Sequence, residues 1–225
     1  MTQVSFSDDE FIDYKYKTKP FKHQWDVFKT SRDEEYYALF MEQGTGKSKV
    51  IVDTITHLAR KGSIDSAIIV APKGVYRNWL KQEIPVHMPD DVLDSIYMEL
   101  WNPTETKKNI ERLTDFIKVN HNGLKVFIIN IEAFSTLKGL HYTQRFLNVH
   151  KSMVVIDESS TIKHKTARRT KNLLKIANMA KYRRILTGTP VTAGPIDIYT
   201  QMSFLSDNIL QSSFYGFRNR YCVLR

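Results

Sequence analysis

The segment Phe40-Met-Glu-Gln-Gly-Thr-Gly-Lys-Ser48 constrains the fold more than any other stretch of the chain. It ends an apolar, aromatic run, Tyr36 to Met41, that reads as a β-strand, and it opens a stretch, Lys49 to Lys61, that reads as a helix closed by Gly62. Where a strand turns into a helix, the first backbone N–H groups of the helix lack partners within it. Gly44 and Gly46 permit the backbone angles that aim successive N–H groups inward, which builds an anion nest at the helix start. Lys47 adds a cation and Ser48 a hydroxyl. The order of these residues predicts a phosphate loop in which Gln43, Gly44, Thr45, Gly46, Lys47 and Ser48 hold a nucleotide. In that loop Lys47 reaches the β- and γ-phosphates and Ser48 ligates Mg²⁺. The bland alternative is a glycine turn that only caps a helix. Met41 stands where the strict G-x-x-x-x-G-K-[ST] pattern has its first glycine.

Four further β-branched runs read as strands: Ala67 to Ala71, Lys125 to Asn130, Met153 to Asp157 and Arg183 to Thr187. They alternate with helical patterns, the signature of an α/β fold with a mostly parallel central sheet and helices on both faces. Asn102-Pro-Thr-Glu105 reads as cap, first-turn proline and capping-box acid of a helix running to about Val119, with Ile110, Leu113, Phe116 and Ile117 as its buried face. No Gly/Ser or Pro linker and no repeat interrupts the pattern, so residues 1–225 read as one domain. A hydrophobic share of 42% with 12% aromatics fits a folded body.

Asp157 and Glu158 close the run MVVIDESS at a strand end, where ligands of open α/β sheets sit. Two carboxylates there suit nucleotide hydrolysis: Asp157 to hold Mg²⁺, Glu158 to polarise the attacking water. Without the phosphate loop, the pair would read equally well as a helix cap. Leu186-Thr-Gly-Thr-Pro190 ends the next strand, and Thr187, Gly188 and Thr189 are small, hydroxylated and flexible enough to sense a phosphate state. A tight surface turn is the competing reading.

The 33 Lys and Arg outnumber the 24 Asp and Glu, a net charge of +9 that suits a polyanionic partner. No apolar run reaches the roughly 18 residues of a membrane span. The N-terminus MTQVSFSDDEF lacks the pattern of a secretory signal, and the single Cys222 excludes an internal disulfide. A cytoplasmic, reducing setting is the expectation.

Taken in order, FKHQWDVF, MEQGTGKS, AIIVAPKGVYRNW, VFIINIEAF, VVIDESSTIKH and RRILTGTPV resemble motifs Q, I, Ia, Ib, II and III of superfamily-2 helicases, most closely the Swi/Snf-type DNA translocases. The likeness covers nearly the whole chain, including the tail with IYTQMSFL and FRNRY. It implies a RecA-like P-loop domain, the first lobe of an ATP-driven motor on duplex DNA, with RNA left open, and it removes the objection from Met41, since that family's loop also lacks the first glycine. It implies that Gln24 reads the adenine edge and that Phe21 packs on the base. An amide matches the donor and acceptor that adenine presents. It further implies nucleic-acid contacts from Lys73, Arg77 and Asn78 at a helix start and from Lys163 and Lys165 beside His164. Trp79 reads as core rather than as a base-stacking platform.

Two departures stand out. Motif II reads Asp-Glu-Ser-Ser, so Ser160 occupies the position that normally links the nucleotide to motif III. No Gln-x-x-Gly-Arg-x-x-Arg pattern of a second lobe is present. The second lobe supplies arginine fingers worth roughly 10³ to 10⁵ in rate, so the expectation is an ATP hydrolase, very slow alone, that meets a second lobe in cis or in trans. A catalytically idle nucleotide- or DNA-binding module and a viral packaging motor ATPase are the alternatives; a phage origin would place the chain in the nucleoid or a host cytoplasm.

Overall fold

The computed structural model describes residues 14–104 and 106–222. Six strands form one sheet: β1 (Tyr36–Phe40), β2 (Ser66–Ala71), β3 (Tyr97–Leu100), β4 (Lys125–Asn130), β5 (Ser152–Asp157) and β6 (Tyr182–Thr187). Their order is β1-β6-β5-β2-β4-β3, and every neighbouring pair is parallel. Parallel pairing forces a crossover between strands, and the crossovers cover both faces of the sheet.

Side chains of alternate strand residues point to opposite faces and build two cores. Ile68, Val70, Phe127, Ile129, Val154, Ile156 and Ile185 face one way. They pack under α6 (Lys107–Lys118), α7 (Leu137–Val149), α8 (Arg168–Ala177) and α9 (Tyr199–Leu205), which contribute Phe116, Phe146, Ile176 and Phe204. Ala67, Ile69, Val126, Ile128, Val155 and Leu186 face the other way. There they meet α1 (Lys22–Ser31) through Phe28 and α2 (Lys47–Arg60) through Val50, Ile51 and Ile55. On the same side a helical stretch runs through α3 (Tyr76–Asn78), a π-helical turn (Trp79–Glu83) and α4 (Ile84–His87), bringing Trp79 and Ile84. The short α5 (Asp90–Leu93) and the last helix, α10 (Phe214–Tyr221), complete the set. Among the described residues no helix is long and apolar enough to cross a membrane.

Three expectations need correction. Strand β3 was not foreseen: it is a four-residue edge strand, and its Glu99 is brought inside by an ion pair with Arg112 at 3.1 Å. Helix α6 starts at Lys107, capped by the Thr106 hydroxyl, which accepts from the Asn109 N–H at 3.3 Å. The Asn102 side chain instead closes a turn by accepting from the Thr104 N–H at 3.0 Å, and Glu105 lies outside the described residues. Ile110 falls in the first turn of α6 and is 41% exposed, whereas Leu113, Phe116 and Ile117 are buried as expected. Gly62 ends α2 as foreseen, with a left-handed φ of 66° just past the Lys61 cap.

Candidate nucleotide site

Because the sheet is parallel, the loops after β1, β2, β5 and β6 all emerge at its carboxyl edge. The loop after β1 carries Gly44 at φ 77° and Gly46 at φ 80°. Gly46 is the N-cap of α2, so the amides of Lys47 and Ser48 open the helix at the loop. A Cβ at Gly46 would stand 2.2 Å from Gln24 Nε2, while the space around Gly44 is open. Lys47 Nζ lies across the loop and donates to the carbonyls of Met41 (2.9 Å) and Glu42 (3.0 Å). These neutral acceptors are ones a phosphate would outcompete.

Gln24 braces the loop from behind. Its Oε1 accepts from the Phe21 N–H at 3.0 Å, and its Nε2 donates to the Thr45 carbonyl at 2.9 Å. The amide thus has one donor and one acceptor engaged by the protein, with a second of each left for another partner. His23 Nε2 also reaches the Thr45 carbonyl, at 2.9 Å, and its ring lies parallel to Phe21, centroids 5.9 Å apart. Phe21 is 61% exposed and offers a flat apolar surface beside the loop.

Asp157 and Glu158 at the end of β5 line the same cleft as Gly44, Lys47 and Ser48, a space of about 390 Å³ that Trp79 and Glu83 also line. That volume lies in the range of small-molecule sites. Burial raises the Asp157 pKa, the adjacent Glu158 charge adds to the rise, and a hydrogen bond from Trp79 Nε1 to Asp157 Oδ2 at 3.0 Å opposes it. Glu158 sits in the left-handed region at φ 53°, ψ 60°. A non-glycine residue held there stores roughly 1–3 kcal/mol. Its carbonyl is fixed by the Thr161 N–H (3.0 Å) and hydroxyl (2.7 Å), so the following 3-10 turn, Ser159–Ile162, holds that conformation. The Glu158 carboxylate accepts from the Thr187 hydroxyl at 3.3 Å, and the same hydroxyl accepts from the Thr189 N–H at 3.1 Å. The acidic pair and the Thr187-Gly-Thr189 segment are therefore in contact.

The donors near the cleft are hard oxygens, the Ser48 hydroxyl and the Asp157 carboxylate, which fit a Mg²⁺ completed by phosphate oxygens and water. The glycine cradle of the loop leaves room for the phosphates themselves.

The other predicted residues divide. Asn78 lines the nucleotide cleft, through the π-helical register that also brings in Trp79 and Glu83. Lys73 precedes, and Arg77 lies in the first turn of, the continuous helical stretch from Tyr76 to His87. The Lys73 N–H donates to Glu132 Oε1 at 3.5 Å, and the Arg77 guanidinium lies 5.8 Å from the Tyr76 ring centroid. Lys163 turns onto the loop after β6, bonding the Thr192 hydroxyl and pairing with Asp197 at 3.7 Å, so it does not stand free at the surface. Lys165 lies 4.5 Å above the Phe214 ring. Ser160, expected to link the acidic pair to the loop after β6, does not do so by its side chain. The neighbouring Ser159 is fully buried and donates to Gln201 Oε1 on α9 at 2.7 Å. Sequence reading missed Ser159 and Gln201, and it missed the polar role of Trp79, which a buried indole N–H in need of an acceptor could have signalled.

A glycine-rich loop at a helix start after β1, an acidic pair at the end of β5 with β6 lying between the two strands, and an all-parallel sheet define a RecA-like P-loop nucleotide-binding domain. Within that class the chain belongs to the SNF2-related domain family, which it matches over residues 24–223. It is similar to the chromatin-remodeling ATPase INO80 of Aspergillus clavatus, 23% identical over 172 residues that make up 76% of this chain and 10% of that protein. The ATP-dependent helicase FUN30 of Saccharomyces cerevisiae is 25% identical over 177 residues, 78% of this chain and 14% of FUN30. The chain thus spans a small part of the length of these relatives. The Sulfolobus solfataricus SWI2/SNF2 ATPase core in complex with dsDNA has the same fold, with a TM-score of 0.70 at 18% identity, covering 97% of this chain and 41% of that one.

Proposed function

We propose that this chain is the ATP-binding lobe of an ATP-dependent DNA translocase, and that full turnover needs a second RecA-like lobe in cis or in trans. The observation that carries the reading is the convergence of Gly44–Ser48, Asp157 and Glu158 on one cleft. In this mechanism the N–H groups of the Gly44–Ser48 loop bind the β- and γ-phosphates, and Lys47 exchanges its carbonyl partners for phosphate oxygens. Ser48 and Asp157 would hold Mg²⁺, which supplies charge neutralisation to the transferring phosphoryl group. Glu158 orients water and accepts its proton, and Thr187, bonded to that carboxylate, registers the change. The strained Glu158 backbone favours a catalytic lobe over an idle binding module, since simple nucleotide binding needs no aimed base.

Duplex DNA as the partner is supported by the net charge of +9 and by the dsDNA complex of the SWI2/SNF2 ATPase core that shares the fold. Lys73, Arg77 and Lys165 remain the proposed contacts, and a reducing compartment, read from the lone Cys222, belongs to the same proposal. The test is phosphate release by the chain with duplex DNA, alone and with a second lobe added. Slow release alone and an acceleration approaching the roughly 10³ to 10⁵ that an arginine finger provides, abolished by Glu158→Gln, is the expected result. Brisk DNA-stimulated turnover by the chain alone would overturn the requirement for a second lobe.

A further inference from the structure

Gln201 is fully buried on α9, with both amide N–H groups and one lone pair of the amide oxygen engaged. Oε1 accepts from Ser159 Oγ at 2.7 Å, while Nε2 donates to the carbonyls of Pro190 at 2.7 Å and Asp197 at 2.8 Å. Both N–H groups face carbonyls and the oxygen faces a hydroxyl, so the amide fits in one orientation only. Ser159 immediately follows Glu158, and Pro190 ends the Leu186-Thr-Gly-Thr-Pro190 segment. One side chain therefore ties the turn of the acidic pair to the loop after β6.

Other contacts make the connection stiff. Thr200, the residue before Gln201, donates its hydroxyl to the Ile162 carbonyl at 2.6 Å, clamping α9 to the far end of the Ser159–Ile162 turn. Asp197 Oδ2 gathers the Thr192 N–H (2.9 Å), the Thr192 hydroxyl (2.8 Å) and the Ala193 N–H (2.8 Å), which makes the loop after Pro190 a closed unit. On the nucleotide side Thr187 donates to the Glu158 carboxylate, and at the end of the turn Lys163 bonds the Thr192 hydroxyl and pairs with Asp197. The loop is thus held at its near end by Thr187 and from behind by Gln201. A buried polar link of this kind is not needed for packing, because an apolar pair of similar shape fills such space at little cost.

We infer that Gln201 is a positioning residue which, through Ser159 and Pro190, carries a change in the acidic turn to residues 188–197. This rests on the nucleotide-site reading above. It locates the link between nucleotide and loop in Ser159 and Gln201, in place of Ser160.

Hydrogen–deuterium exchange of the full chain with and without MgATP tests the inference, with MgATP affinity measured in parallel by fluorescent-nucleotide titration. In the unsubstituted chain MgATP slows exchange in residues 188–197. In Ser159→Ala and in Gln201→Leu the affinity stays within about twofold, and the MgATP-dependent slowing shrinks by about fivefold or more, the lower end of measured couplings between sites. Ser159→Ala removes one hydroxyl and keeps the fold even where Gln201→Leu does not, so its result decides. Undiminished MgATP-dependent slowing in Ser159→Ala overturns the inference, as does faster exchange raised equally with and without nucleotide, which marks a purely structural role. An unsubstituted chain that binds no MgATP counts instead against the nucleotide-site reading.

Discussion

Trp79 donates its indole N–H to Asp157 Oδ2 at 3.0 Å while its ring fills the core beneath α2. One carboxylate oxygen is thereby engaged, and in the proposed mechanism the other would take Mg²⁺. Hydrogen bonds to charged groups contribute about 1.5–3 kcal/mol. Trp79→Phe should therefore weaken MgATP binding by about tenfold or more and leave ATP binding without Mg²⁺ nearly unchanged. Titrations with and without Mg²⁺ check this, and an equal loss in both would reduce Trp79 to a packing residue.

The two loop glycines are not equivalent. Both need a left-handed backbone, which costs another residue roughly 1–2 kcal/mol, but only Gly46 lies against a neighbour, Gln24 Nε2. Gly46→Ala should displace Gln24 from the Thr45 carbonyl and abolish nucleotide binding, whereas Gly44→Ala should weaken it only moderately. Nucleotide titration of the two variants side by side distinguishes them, and equal losses would refute the bracing role of Gln24.

How much of this was legible in the sequence depended on distance along the chain. The loop Gly44–Ser48 and the pair Asp157 and Glu158, which the fold brings to one cleft, stood out because phosphate chemistry needs its groups in a fixed local order, and five strands were readable as β-branched runs ending in loops. Strand β3 was not, because Glu99 interrupts its short apolar pattern and is compensated only by Arg112 on another element. Trp79 and Asp157 are 78 positions apart, and Ser159 and Gln201 are 42 apart, so neither pair leaves a local signal. The left-handed Glu158 begins a 3-10 turn that carries Ser159 inward, a conformation the letters Asp-Glu-Ser-Ser do not announce.

Arg184 is a buried clip for the turn between α1 and β1. Its guanidinium donates to the carbonyls of Ser31 (2.7 Å), Glu34 (2.5 Å), Glu35 (3.0 Å) and Arg183 (2.9 Å), and burial pushes its pKa down to about 10. Leaving such acceptors unpaired costs roughly 1–3 kcal/mol each. Arg184→Leu should lower the unfolding free energy by at least about 2 kcal/mol, and Arg184→Lys should not restore it, because an ammonium lacks the planar fork. Urea unfolding measures both, and a neutral Arg184→Leu would contradict the assignment.

Asp197 gives a pH signature. Burial alone would raise its pKa, but hydrogen bonds from Ala193 and Thr192, with the Lys163 charge, outweigh it and hold the carboxyl at about 2, below the ordinary 3.8. A depressed folded-state pKa means that the unfolded chain takes up the proton first. The stabilisation is therefore complete above pH 3.8 and is lost as pH falls toward 2. Asp197→Asn should be less stable than the unsubstituted chain at neutral pH, with the difference narrowing over that window. Thermal unfolding as a function of pH reads it out, and a difference constant with pH would exclude the carboxylate as its source.

The claim on which the rest depends is that Gly44–Ser48 and Asp157 form one MgATP site. Equilibrium titration of the chain with ATP and Mg²⁺ tests it most directly. The expected result is saturable binding at one site, weakened by about tenfold or more (about 1.4 kcal/mol) in Lys47→Ala, weakened but still measurable on chelation of Mg²⁺, and retained in Glu158→Gln. No saturable binding, or equal affinity in Lys47→Ala, would contradict it.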